Sequence, residues 1–302
     1  MTVYLSRRRF LAAAGVGLAG MTGGAGYAFG LEPHHVTLTP HDVPVEDLPP
    51  ALDGLRILQV SDVHLHDGLH LAARKTMDLV AEAAPDITLL TGDLIEKQSQ
   101  LRDLKPFVEA VRGRLGTLAV IGNWEYAAGV TAARFARTLE AGGAELLCNS
   151  TRVLGAGERQ LAVVGLDDPR AGKAEPARAL AGLPSGIPAL WTYHAPGFTD
   201  TLSTDRFPRP TFIATGHTHG GQIRFPLVPP LTPPGSGRFV AGWYRDTFAP
   251  LFVSRGVGTT AVRARFLCPP ELPIFTLRRD LSHASSAGAG GPGVRQPSRG
   301  VR

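Results

Sequence analysis

At 302 residues, with 43% hydrophobic and 19% charged side chains, the chain is long enough for one large core and too apolar to be disordered throughout. Its formal charge of +5 comes from the ends: Arg7, Arg8 and Arg9 with no acid in 1–28, and Arg295, Arg299 and Arg302 with no acid in 281–302, which leaves −1 for the middle. That distribution excludes a basic nucleic-acid-binding face, and two cysteines are too few for a disulfide framework. Whether Cys148 and Cys268 pair or stay separate thiols is open at this level, as is the oligomeric state.

The first element is Ser6-Arg7-Arg8-Arg9-Phe10-Leu11 followed by an apolar stretch to Gly30. A basic start before an apolar run is a secretory signal, and paired arginines ahead of Phe-Leu resemble the twin-arginine export signal. Seven glycines from Gly15 to Gly30 leave it well short of the ~20 strongly apolar residues of a membrane span. Residues 1–30 are read as a twin-arginine-type signal cut after Ala28, or as an uncleaved anchor. The expected location is periplasmic or membrane-associated, with any membrane contact through the N-terminus.

Residues 31–55 are Pro-rich and extended, and His34, His35 and His41 within them are read as incidental. Short apolar runs then end abruptly in polar residues. Leu55–Val60 runs into Asp62-Val63-His64, Ile87–Leu90 into Gly92-Asp93, and Leu118–Ile121 into Gly122-Asn123. Further on, Ala189–Tyr193 runs into His194, and Phe212–Ala214 into Gly216-His217-Thr218-His219. Such runs read as buried strands. Helical patterns over Leu71–Ala84 and Leu101–Val111 separate the first three, with Pro106 placed early in the second helix or breaking it. The spacings of 31 and 30 residues from Asp62 to Asp93 to Asn123 match strand–helix–strand crossovers. Parallel strands present their C-terminal ends at one sheet edge, so these residues should converge there. From Thr151 onward the strand-like runs sit closer together and predict a second, more antiparallel half. The folded domain is read as 31–280, with a disordered Ser/Ala/Gly/Pro/Arg tail over 281–302.

The gathered set is Asp62, His64, Asp93, Asn123, His194, His217 and His219. Carboxylate, imidazole and amide oxygen suit divalent Mn, Fe, Zn or Co, and the absence of Cys rules out a thiolate zinc site. Seven ligands are too many for one ion and right for two sharing a carboxylate. Two ions roughly 3.5–4 Å apart clamp a phosphate and activate a water between them. In Asp62-x-His64 and His217-x-His219, an extended backbone points both ligands to the same side.

The ordered blocks Asp62-x-His64, Gly92-Asp93, Gly122-Asn123, His194 and Gly216-His217-Thr218-His219 resemble the calcineurin-like metallophosphoesterases over about residues 50–277. The string from Gly216 to Ile223, with Glu32-Pro33 and Cys268-Pro269-Pro270-Glu271, is similar to the exported or membrane-associated bacterial branch. The resemblance implies an α/β fold of two packed mixed β-sheets flanked by helices, a four-layer α/β/β/α sandwich. It implies one metal on Asp62, His64, Asp93 and His219, a second on Asp93, Asn123, His194 and His217, and catalysis centred on Asp93, Asn123 and His217. The implied activity is hydrolysis of a phosphodiester, phosphomonoester or pyrophosphate, with a lipid or envelope metabolite as a candidate substrate. The alternative is a non-catalytic metal-dependent binding protein on the same scaffold.

One departure bears on mechanism. The family has His after Gly-Asn, and this chain has Trp124, whose indole donates one hydrogen bond and cannot shuttle a proton. Three readings follow: Trp124 stacks on substrate, His66 or Tyr126 supplies the proton, or the leaving group needs none. Arg255 is a candidate phosphate contact at a strand end. Asp167 and Asp168 are read as turn residues, and Trp243 and Tyr244 as core.

Overall fold

The computed structural model describes residues 22–66 and 68–280. Most of the expected N-terminal signal and the whole of the expected tail therefore lie outside the described residues. The three apolar runs of the first half form β2 (Arg56–Val60), β3 (Ile87–Thr91) and β4 (Gly116–Val120). They are parallel in register, joined by helices α1 (Leu71–Ala83) and α2 (Leu101–Ala110). The short β5 (Glu145–Leu146) extends them at one side. On the other side β12 (Glu271–Arg279) pairs antiparallel with β2 and parallel with β1 (Thr37–Val45). The first sheet thus runs β1-β12-β2-β3-β4-β5.

β1 corrects the reading of residues 31–55 as a mere lead-in. Pro40 and Pro44 lack an amide donor, and an edge strand is where that loss is tolerated. Its His41 is not incidental either: the ring packs against Phe252, Phe275 and Trp243. Pro106 sits inside α2 without ending it. It faces solvent, where water can satisfy the carbonyl that loses its amide partner. Among the helices with no counterpart in the sequence reading are α3 (Asn123–Ala127) and α4 (Ala132–Gly142).

The second sheet holds β6 (Ser150–Ala156), β7 (Arg159–Gly165), β8 (Ala189–Thr192), β9 (Ile213–Thr215), β10 (Gly242–Tyr244) and β11 (Leu251–Val253), in the order β10-β11-β9-β8-β7-β6. It is less antiparallel than its sequence suggests. Only β6–β7 and β10–β11 are antiparallel, while β7–β8, β8–β9 and β9–β11 are parallel. The intervening segments, including α5 (Pro176–Leu180), are long enough to cross over, so proximity in sequence did not imply hairpins.

Alternate residues of each strand enter different apolar layers. Leu58, Leu90, Ala119 and Ile121 pack against α1, α2 and α4. Ile57, Leu89, Leu118 and Val120 meet Leu161, Val163, Leu190, Phe212 and Phe252 between the sheets. Val164, Trp191, Ile213 and Val253 pack outward under α5 and the loops carrying Phe239 and Phe248. Trp243 and Tyr244 contribute to these layers, as expected. Each fully buried large apolar side chain contributes about 1.5–3 kcal/mol. Gln59 ties the two sheets at their C-terminal ends, donating to the Thr91 hydroxyl and the Thr215 carbonyl, both at 2.9 Å.

α1 begins at His70, whose Nδ1 accepts the Ala73 amide at 3.2 Å while Nε2 donates to the Val63 carbonyl at 3.0 Å. That arrangement requires the neutral ring. Burial, with His66, His34 and Arg263 nearby, pushes its pKa down to about 4. A folded-state pKa below the unfolded value means the unfolded chain binds the proton more tightly. Stability is then fully present above about pH 6.5 and lost as pH falls toward 4. The expected loss is about 2 kcal/mol after solvent screening. In His70→Asn, which caps without titrating, urea midpoints should fall less between pH 7 and 4 than in wild type. Parallel pH profiles for the two proteins would show that the cap does not titrate.

Candidate metal centre

Every strand that ends near the site delivers its polar residue just past its last paired position. Asp62 and His64 follow β2, Asp93 follows β3, and Asn123 follows β4. His194 follows β8, and His217 and His219 follow β9. The structure brings all seven to one edge shared by the two sheets. Five of them, Asp62, His64, Asp93, His217 and His219, have positive φ between 46° and 72°. Asp and His enter this region more readily than most residues, and strain of this kind concentrates at functional sites. The turn before Asp93 needs Gly92, with φ 88°. A Cβ there would lie 2.7 Å from His194 Nδ1 and 2.9 Å from the Gly122 backbone.

The side chains form two clusters, Asp62–His64–His219 and Asp93–His194–His217, with candidate donor atoms within 4.8 Å of one another in each. Asp93 lies between them: its Oδ2 is 2.9 Å from His194 Nε2 and 3.9 Å from His64 Nε2. His64 Nε2 and His219 Nε2 are 3.0 Å apart. His194 Nε2 and His217 Nδ1 are 3.2 Å apart. The outer nitrogens of the second pair are committed, His194 Nδ1 to the Thr91 carbonyl at 2.8 Å and His217 Nε2 to the Pro234 carbonyl at 2.9 Å. A carbonyl only accepts, so each ring must donate there, and in the neutral tautomer the inner nitrogen is left with its lone pair. Two lone pairs facing each other at that distance, beside a carboxylate, call for a cation. Asn123 Oδ1 is buried without a hydrogen-bond partner. The donor set therefore fits divalent metal ions.

Electrostatics agree. Burial opposes a charge on His194, yet Asp93 and Asp62 hold its pKa well above the usual imidazole value. The field that retains a proton there is one that a metal ion would satisfy. Burial, followed by His194, lowers His217 to about 4, and burial, followed by His64, lowers His219 well below the imidazole range. Neutral imidazole is the ligating form.

Backbone amides hold the carboxylates. Asp62 accepts the His217 amide at 3.0 Å, and Asp93 accepts the Trp124 amide at 2.8 Å. Behind them, fully buried Glu125 accepts the amides of Asp93, Leu94, Ile95 and Gly122 at 3.1, 2.6, 3.2 and 2.9 Å. It ties the β3 and β4 loops together, a role not read from the sequence. On the other flank the buried Arg265 guanidinium donates to the carbonyls of Arg255, Gly256, Gly258 and Cys268. That shapes the loop whose Gly258 amide donates to the Asp62 carbonyl at 2.7 Å.

The remaining candidates separate. Trp124 lines a cleft of about 360 Å³ over the clusters, with Asp93, Asn123, Arg170, His217 and His219. Its ring meets His64 edge-on at 5.7 Å. Arg255 does not face this cleft: its guanidinium pairs with Glu271 at 2.8 Å. His66 stacks on His70 at 4.6 Å and does not line the cleft. The Tyr126 hydroxyl donates to Asp167 at 2.6 Å, and burial and that carboxylate raise its pKa, which disfavours it as a proton donor. Asp167 and Asp168 organise their turn, accepting the amides of Lys173, Arg170 and Ala171. Cys148 and Cys268 are both free. Arg170 is the cleft residue that sequence reasoning passed over. The available signal was its place just beyond β7, at the same edge that β8 uses to present His194.

Strand-end Asp, His and Asn side chains on a double-sheet α/β sandwich define a metal-dependent phosphoesterase. The Calcineurin-like phosphoesterase family profile matches residues 55–221, and the chain belongs to that family. The Bacillus subtilis metallophosphoesterase YkuE is 32% identical over 91% of this chain and 98% of its own length. The Escherichia coli phosphodiesterase YaeI is 29% identical over 90% of this chain and 99% of its own. The UDP-2,3-diacylglucosamine pyrophosphatase LpxG of Chlamydia muridarum is 27% identical over 81% of this chain and 90% of its own. The protein is a phosphoric ester hydrolase, which answers the binding-protein alternative.

Proposed function

We propose that the protein hydrolyses a phosphodiester or pyrophosphate bond with a dinuclear metal centre, outside the cytoplasm, on an amphipathic envelope substrate. The observation that carries the reading is the pair of Asp/His clusters joined at Asp93, with the unpartnered Asn123 oxygen beside them. Asp62, His64, Asp93 and His219 would hold one ion, and Asp93, Asn123, His194 and His217 the other. When bound, such ions supply Lewis acidity and lower the pKa of a water. The chain's own contribution is positional. Thr91 and Pro234 fix the His194 and His217 tautomers, and Glu125 fixes the loops. Arg170 offers a guanidinium to phosphate oxygens from the cleft wall. Trp124 stands where the family carries His and closes one side of the cleft. With Tyr126 committed to Asp167, the geometry favours substrates whose leaving group departs unprotonated or takes its proton from water. The relatives named as a phosphodiesterase and a UDP-2,3-diacylglucosamine pyrophosphatase support this substrate class, and the amino-terminal twin arginines support export.

The test is metal content by elemental analysis on the purified chain, with turnover of bis-p-nitrophenyl phosphate and p-nitrophenyl phosphate before and after chelation. About two ions per chain are expected, with diester turnover exceeding monoester, lost on chelation and restored by Mn, Fe, Zn or Co. Full turnover in the metal-free protein would sink the proposal.

A further inference from the structure

Among the described residues, eleven large hydrophobic side chains are exposed, and nine of them come from three short segments. Tyr27, Phe29 and Leu31 lie in the first. Phe225, Leu227, Val228 and Leu231 lie in the second, and Val262 and Leu267 in the third. The segments form one face. Phe266 packs against Phe225 at 5.7 Å and Tyr27 at 6.4 Å, and the Arg265 amide donates to the Ala28 carbonyl at 2.9 Å. Buried Glu32 accepts the amides of Leu267 and Cys268, so the Glu32 and Cys268 motifs pin the first segment to the third. Leu227 and Leu231 are 104% and 88% exposed. Five prolines between Pro226 and Pro234 stiffen the backbone that presents them. The family profile ends at Gly221, just before this segment. A contiguous exposed apolar face of this kind marks an interaction surface.

Beneath the face lies a cavity of about 490 Å³ lined by Ile223, Phe225, Val228, Leu231 and Val262. It adjoins the metal cleft, with His219, Pro233, Thr260 and Ala261 lining both. We propose that this face seats on a lipid bilayer, and that the cavity takes the hydrocarbon part of a phosphoester whose head group reaches the metal cleft. The head-group half of the proposal rests on the phosphoesterase reading. A bilayer is the occupant the page favours. A second protein copy seated here would cover the mouth of a cavity that lies beside the cleft, whereas a bilayer supplies molecules to it. Residues 22–31, 222–237 and 259–270 contain no acid, so none of their side chains repels an anionic lipid surface, and they carry Arg224 and the part-exposed Arg263, which also pairs with Glu96. The sequence preceding Thr22 is apolar from Leu11 and leads directly into the segment that carries the exposed Tyr27, Phe29 and Leu31.

The test uses the full chain and vesicles of phosphatidylglycerol and phosphatidylcholine. A polarity-sensitive dye on Leu227→Cys should be quenched by lipids with brominated acyl chains, whatever else holds the protein to the vesicle. In the Leu227→Asp/Leu231→Asp double variant, vesicle partitioning should fall by about tenfold or more. The kcat/KM ratio of a diacyl phosphodiester to bis-p-nitrophenyl phosphate should fall by a similar factor. An unquenched dye would overturn the docking. So would a wild-type dimer that the double variant converts to monomer without any change in vesicle binding. Quenching with an unchanged substrate ratio would overturn the cavity's role. A wild-type chain that turns over neither ester would defeat the phosphoesterase reading instead, while the quenching result would still decide the docking.

Discussion

Asp93→Asn is expected to lower kcat/KM for a phosphate diester by about 10³-fold or more, a loss of ~4 kcal/mol. The amide can still accept the Trp124 amide through its one oxygen, so the loop should survive. The other position becomes an NH2 directed at His194 Nε2, where the carboxylate oxygen stood 2.9 Å away. The change removes a negative charge and the oxygen that lies between the two imidazole clusters. Metal content should fall below that of wild type, while the far-UV spectrum and the cooperativity of unfolding remain. Turnover within tenfold of wild type at full metal content would show that Asp93 does not join the two clusters.

The second large effect is expected on stability rather than chemistry. In Glu125→Gln one oxygen is replaced by an NH2 that confronts backbone donors. Of the four amides that converge on the carboxylate, about two lose their acceptor inside a fully buried site. Each unsatisfied buried donor costs roughly 1–3 kcal/mol, so about 2–6 kcal/mol in all. Burial and then the Asp93 charge push the Glu125 carboxyl up to about 7, so the site already disfavours its charge, and the amides oppose that. Urea unfolding of the metal-free proteins isolates the effect from metal binding. Metal affinity should weaken as well, by about 10–100-fold, because the loops bearing Asp93 and Asn123 lose their common anchor. Equal unfolding midpoints for metal-free wild type and variant would mean the amides find other acceptors.

What could be read from the sequence follows from where each strand sits. β2, β3 and β4 are covered on both faces, and such strands are continuous apolar runs that stop at the polar residues they deliver. The ligand set was legible for the same reason. β1 was not, because two prolines disguise an edge strand as a linker. Nor were the parallel pairings of β7, β8, β9 and β11, since strand direction depends on crossovers that no local pattern encodes. The role of Glu125 was not legible either, because it consists mainly of bonds to amides some 30 residues away. Arg255 shows the reverse error: a strand-end position that favoured phosphate was already satisfied by Glu271. Arg170 stands outside every motif and is placed by topology alone.

The position of β12 between β1 and β2 also dictates when the first sheet can be completed. Thr37 pairs with Glu271 and Val45 with Arg279, across most of the chain. The strand that delivers Asp62 and His64 lacks one neighbour until residues 271–279 are in place. Contacts of such long sequence separation form slowly, because a large loop must close before they repay the lost entropy. A nascent chain still held at the ribosome would expose the edge of β2, and the first cluster would lack its lateral support. Completion of the first sheet, and with it the lateral support of the strand that carries Asp62 and His64, is thereby coupled to the arrival of residues 271–279.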